Sequence, residues 1–129
     1  MAVRAPGREL PLGLMVLVVE DEFLIAMDLE AMLREHGWRV LGPAATVATA
    51  LSLLEDGEMP DVALLDVNLR GETVVPVAEV LRERGVPIVL ASAYNHAASM
   101  ADVLAGAPNI GKPTRERHLL AALKRAVEK

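Results

Sequence analysis

The chain has 129 residues, 53% of them hydrophobic, with three aromatic side chains and no cysteine. That size suits one domain with a core built mainly from aliphatic side chains, and the lack of cysteine excludes disulfides and thiolate metal sites, in keeping with a reducing cytoplasm. A net charge of -5 argues against nucleic acid as a partner, and the longest apolar run, Leu14–Val19, falls far short of the roughly 20 residues needed to cross a membrane.

Residues 1–13 carry Arg4 and Arg8, and their interrupted Leu10-Pro11-Leu12-Gly13 stretch lacks a signal-peptide core, so they read as a flexible leader to a domain over residues 14–129. No separate output domain is expected on either side. Leu14–Val19 is a continuous apolar run of the kind a strand buried on both faces needs. Over residues 22–36 the period changes, and Ile25, Leu29, Met32, Leu33 and His36 recur at three- and four-residue steps along one side of a helix. Met27 and Met32 read as core filler. Gly37 fits the helix C-terminus, where a left-handed residue closes the last turn.

The unit then repeats. Trp38–Leu41 reads as a short strand closed by Gly42-Pro43, and Thr46 can cap a helix carrying Val47, Ala50, Leu51 and Leu54, ended by Gly57. Asp61–Leu65 is a third strand leading into Asp66, followed by a helix over residues 73–84 with Pro76 in its first turn and Gly85 at its end. Val86–Ala91 gives a fourth strand, Asn95–Ala105 an alanine-rich helix, and residues 109–111 a weak fifth strand assigned by its place in the alternation. The last helix follows Thr114 and carries Leu119, Leu120, Leu123 and Val127, with Arg115, Arg117, Lys124 and Arg125 on a solvated face that could also meet a partner or a second copy. Five strand–helix units in strict alternation predict an α/β fold, a five-stranded parallel sheet with helices on both faces, for which 2-1-3-4-5 is the common flavodoxin-like order.

In such sheets sites form beyond the carboxyl ends of the strands. Those ends offer Glu20 and Asp21 after the first strand, Asp66 after the third, Ser92 after the fourth and Lys112-Pro113 after the fifth. Strands one and three are neighbours in this order, about 4.8 Å apart, so their carboxylates can share a cation. Magnesium suits them, because it takes hard oxygen ligands and keeps waters beside one or two carboxylates and a phosphate. Beside a cation Asp66 stays ionised and can act as a nucleophile that forms an acyl phosphate, with Lys112 supplying further neutralisation.

Val18-Val-Glu-Asp-Glu22, Leu64-Leu-Asp-Val-Asn68, Ala91-Ser-Ala93 and Lys112-Pro113, in this order over residues 14–128, resemble the motifs of the response-regulator receiver family of two-component signalling. The resemblance implies that Asp66 accepts a phosphoryl group from a histidine kinase or phosphotransfer protein. It implies that Asp21 ligates magnesium directly, Glu20 through water and Asn68 through its backbone carbonyl, while Ser92 and Lys112 contact the phosphoryl group. A cis Lys112-Pro113 bond is also implied; proline lowers its cost to about 0.5–1 kcal/mol. The expected protein is a cytoplasmic single-domain regulator that signals to a downstream protein by phosphorylation-controlled binding. It would be no enzyme beyond self-phosphorylation from a donor and slow loss of the phosphate.

Two features depart from the family pattern. Leu69-Arg70-Gly71-Glu72 stands where many receivers have Met-Pro, and Asn109 stands where an aromatic switch residue is common. Tyr94 could take over as the switch, and Ala91-Ser-Ala-Tyr94 resembles the Phe-Ala-Thr-Gly-Tyr motif of a subgroup of bacterial single-domain receivers, some linked to stress signalling. The departures motivate an alternative, a pseudo-receiver that binds partners independently of phosphorylation. An aspartyl-phosphate hydrolase is disfavoured, since the general acid/base position two residues after the nucleophile is Asn68. His36, His96 and His118 have no ligand spacing.

Overall fold

The computed structural model describes residues 13–57, 59–92, 104, 106–112 and 114–128. In chain order it contains β1 (Met15–Val19), α1 (Phe23–Glu35), β2 (Arg39–Ala44), α2 (Val47–Asp56), β3 (Val62–Leu65), β4 (Asn68–Leu69), β5 (Glu72–Thr73), α3 (Val75–Glu83), β6 (Ile88–Leu90) and α4 (Glu116–Glu128). The leader through residue 12, the helix expected at 95–105 (all but Leu104), Tyr94, His96 and the Lys112-Pro113 bond lie outside the described residues.

The main sheet is parallel, in the order β2-β1-β3-β6. The expected fifth strand is reduced to one parallel bridge between Leu90 and Asn109, framed by Leu90 N–H to Pro108 O at 2.7 Å and Ile110 N–H to Leu90 O at 2.8 Å. The predicted strand order therefore stands, with the fifth position occupied by the shortest possible pairing. Pro108 and the turn at Gly111, on either side of Asn109, leave little room for more.

Each central strand is apolar throughout because both of its faces are covered. Leu17, Val19, Ala63, Leu65, Ile88 and Leu90 point to a core completed by Ala50 and Leu54 of α2 and Val77, Ala78 and Leu81 of α3. Val16, Val18, Val62, Leu64 and Val89 point the other way, onto Leu29 and Leu33 of α1 and Leu119 and Leu123 of α4. Period-two strands and period-3.6 helices thus meet in two layers around one sheet.

The helix ends follow their sequence signals. Thr46 Oγ1 accepts from Thr49 N–H at 3.1 Å and caps α2. After α1, Gly37 N–H donates to Arg34 O and Trp38 N–H to Leu33 O, both at 3.0 Å; after α3, Gly85 and Val86 repeat the pattern onto Arg82 and Leu81. Both are Schellman closures with glycine in the left-handed position.

Two expectations need correction. Gly42-Pro43 does not close β2; the strand runs on to Ala44 through an irregularity in its pairing with β1. Gly42 makes this possible at φ 98, where a Cβ would sit 2.7 Å from Ala44 N and 3.0 Å from Val18 O. Met27 is not core filler, because it lies on the outer side of α1 with Phe23 and Leu24, whereas Met32 does pack against the core. His36 also lies at the exposed end of α1, its ring edge-on to the buried Trp38 at 4.8 Å.

Candidate functional site

The site is assembled by the sheet's backbone. Glu20 N–H donates to Ala44 O, Asp66 N–H to Val19 O and Ala91 N–H to Leu65 O, all at 2.9 Å. These bonds extend the ladder one residue past the strands, so the side chains that follow are delivered to one edge in fixed register. There one carboxylate oxygen from each of Glu20, Asp21 and Asp66 lies within 4.8 Å of the other two. Glu20 and Asp66 are buried, and Asp21 is partly so.

Lys112 arrives from beyond the Asn109 bridge. Its Nζ donates to Asp66 Oδ2 at 2.9 Å and to Glu20 Oε2 at 3.2 Å. Glu20 Oε1 lies 3.0 Å from the same ammonium but out of line for a hydrogen bond, so it has a charge contact and no hydrogen-bond partner. Glu20 Oε2 also accepts from Glu22 N–H at 3.1 Å, and Asp66 Oδ1 accepts a long 3.4 Å bond from Asn68 N–H. The sequence expectation that residues 20, 21, 66 and 112 meet is met in space.

Electrostatics follow from the burial. Glu20 is pushed above its ordinary 4.5, chiefly by burial and secondarily by the charge of Asp66, against the lowering effect of its Lys112 and Glu22 hydrogen bonds. For Lys112 burial alone would lower the value, but the hydrogen bonds to Asp66 and Glu20 outweigh it and raise it above 10.5. The ammonium therefore stays charged. Without metal, the stability that Glu20 contributes is fully present below 4.5 and is lost as pH rises through its raised folded-state value. Glu20→Gln is accordingly expected to be more stable than the unmodified chain at neutral pH in chelator, with the advantage shrinking as pH falls towards 4.5. Urea unfolding across that range checks this, and an advantage that grows on acidification would contradict burial as the main cause.

The donor set fits a hard divalent cation: three carboxylates converge, and Glu20 Oε1 is a buried oxygen without a hydrogen bond. Ser92 is buried at the end of β6, and its N–H donates to Asn109 Oδ1 at 3.1 Å. Asn68 opens β4, and its side chain accepts from Gly71 N–H at 2.9 Å.

Two contributors escaped the sequence reading. Asn109, noted there for the aromatic ring it lacks, also accepts from Gly111 N–H at 3.0 Å and so ties Ser92 to the segment that carries Lys112. Arg70 reaches Asp21, with Nε 3.1 Å from Oδ2. It stands in the turn of a small antiparallel hairpin, β4–β5, with φ 54 at Arg70 and 93 at Gly71. A left-handed pair is what a two-residue hairpin turn needs, and Gly71 was its available signal.

Comparison with known proteins gives the family. The family model of the response regulator receiver domain matches residues 16–124. The chain is 34% identical over 121 residues to the transcriptional regulatory protein PdtaR of Mycobacterium tuberculosis, covering 88% of this chain and 57% of that one. It is 30% identical to the phyllosphere-induced regulator PhyR of Methylorubrum extorquens, covering 94% of this chain and 47% of that one. It thus spans about half the length of these curated relatives. The solution structure of SdrG from Sphingomonas melonis superimposes with a TM-score of 0.72 at 42% identity, covering 85% of this chain and 95% of that one. The chain belongs to the receiver-domain family of two-component response regulators. Among the described residues no helix is long and apolar enough to cross a membrane.

Proposed function

We propose that this chain is a phosphorylation-controlled signalling receiver whose acceptor is Asp66 and whose cofactor is Mg2+. The observation that carries the reading is the convergence of buried Asp66 with Glu20, Asp21 and the Lys112 ammonium at one sheet edge. The Asp66 carboxylate attacks the donor's phosphorus, the bond to the donor's leaving group breaks, and an acyl phosphate results. Glu20, Asp21 and Asp66, with the backbone carbonyl of Asn68, would hold the magnesium ion, which when bound neutralises charge on the transferred phosphoryl group. Lys112 and Ser92 then contact that group and report its presence to the neighbouring loops.

The donor is a histidine kinase or phosphotransfer protein. Phe23 (71% exposed), Leu24 (74%) and Met27 (49%) form an apolar surface on α1, which begins just after Glu20 and Asp21, and this supports docking of a donor protein beside the acceptor. Output is a change in affinity for a downstream protein, in the cytoplasm, with self-phosphorylation and slow loss of phosphate as the only chemistry.

Incubation with acetyl phosphate and Mg2+ is expected to add one phosphoryl group per chain by intact mass, with none added in chelator or by Asp66→Asn. Uptake by Asp66→Asn equal to that of the unmodified chain would overturn the assignment. The second reading, a module that binds regardless of phosphate, is favoured by Asn109, whose carboxamide anchors Ser92 and Gly111 where a movable ring is common. A partner held equally by the unmodified chain and Asp66→Asn, with donor present, would select it.

A further inference from the structure

The β4–β5 turn brings Arg70 to the acidic cluster from 49 residues away from Asp21. Arg70 is the non-glycine residue with positive φ among those described, a conformation that β-carbon sterics disfavour and that Asn or Gly adopts more readily. The hairpin that imposes it is anchored on several sides. Asn68 Oδ1 accepts from Gly71 N–H at 2.9 Å, Val74 N–H donates to Val67 O at 3.0 Å, and Glu72 Oε1 accepts from Val47 N–H at the start of α2 at 3.4 Å. The turn that carries Arg70 is therefore held in place, and the Asp21 carboxylate that its guanidinium meets is only 11% exposed.

Charge balance gives this contact a consequence. Among the described residues Lys112 and Arg70 are the cations paired with Glu20, Asp21 and Asp66. Three carboxylates against two cations leave one net negative charge. Lys112 is mostly enclosed and bridges two carboxylates, whereas the Arg70 side chain is 78% exposed and holds one. A divalent cation that entered with both in place would make the cluster positive; with Arg70 released to water the formal charge is zero. The guanidinium also occupies an oxygen of the very residue expected to ligate the metal, and two cations at one carboxylate repel.

We propose that Arg70 is a tethered competitor of the divalent cation at Asp21, holding the cluster's charge when metal is absent and lowering the affinity of the site for metal. The proposal rests on the cluster being a metal site, and it adds a residue that sets how much metal the site requires.

Isothermal titration of the whole chain with Mg2+ alone, at fixed ionic strength, tests it. Arg70→Ala should bind with a Kd about two- to fivefold lower than the unmodified chain, the range expected for losing a partly exposed ion pair. Arg70→Lys, which keeps the charge on the same turn, should stay near the original value. In the unmodified chain the Nε–H resonance of Arg70 should move towards that of free arginine in step with metal binding. An unchanged or higher Kd for Arg70→Ala, with clear binding by the unmodified chain, overturns the competitor role and leaves the metal site standing. Equal tightening by Arg70→Lys and Arg70→Ala also overturns it, since relief of something other than charge would be responsible. No heat from any of the three proteins, together with no shift of the Arg70 resonance in the unmodified chain, would overturn the metal site itself and the proposal with it.

Discussion

Lys112→Ala is expected to lose about 3 kcal/mol of folding stability in metal-free solution at neutral pH. Glu20 and Asp66 have side chains 1% and 9% exposed, and the Lys112 ammonium lies 3.0 and 2.9 Å from them. Removing one partner of a buried ion pair costs about 3–5 kcal/mol because the remaining charge has neither water nor counter-ion; Glu20, whose carboxyl burial already pushes up, can recover part of this by taking a proton. The deficit should narrow as pH falls and Glu20 takes up a proton, and millimolar Mg2+ should restore part of it by supplying the missing charge. Urea unfolding at two pH values, with and without metal, reads all three effects. A loss below about 0.5 kcal/mol, the level of an ordinary surface substitution, would mean that the two carboxylates do not depend on Lys112.

Leu65→Ala should cost a similar amount for a different reason. Leu65 is fully buried in β3, paired with Val19 on one side and Leu90 on the other, and it belongs to the core under α2 and α3. Truncating a buried leucine costs about 2–5 kcal/mol through lost transfer free energy and the cavity left behind. Because Leu65 immediately precedes Asp66, the same substitution loosens the strand end that holds the acceptor, so phosphoryl uptake should fall even where the protein remains folded. Leu24→Ala, on the exposed side of α1, is the control and should stay within about 0.5 kcal/mol. A similar, small loss for both variants would contradict the assignment of the core.

These effects explain which parts of the molecule could be read from the chain. Strands buried on both faces, β1 and β3 above all, need uninterrupted apolar runs, and each run ends where the sheet edge meets polar groups; the acidic residues at 20, 21 and 66 are conspicuous for that reason. The order of strands brings those ends together, so the alternation of elements forecast the cluster only in combination with the common 2-1-3-4-5 order. Lys112 was legible because the fifth position, however short, still sits next to β6.

What local pattern could not supply were contacts decided by neighbours in space. Gly42-Pro43 looks like a strand terminator, yet hydrogen bonding to β1 carries the chain through it to Ala44. Met27 has the hydrophobicity of a core residue, but the helical face it occupies points away from the sheet. Arg70 and Asn109 read as departures from a family pattern, and only the folded chain gives them partners, Asp21 for one and Ser92 with Gly111 for the other.

The acceptor itself can be identified by chemical trapping. Borohydride reduces an acyl phosphate to an alcohol, so treatment of the phosphorylated chain followed by peptide mass mapping marks the residue that carried the phosphate. A single modified position at Asp66, dependent on Mg2+, is predicted. Modification at a different residue, or none after phosphoryl uptake, would contradict the site described above.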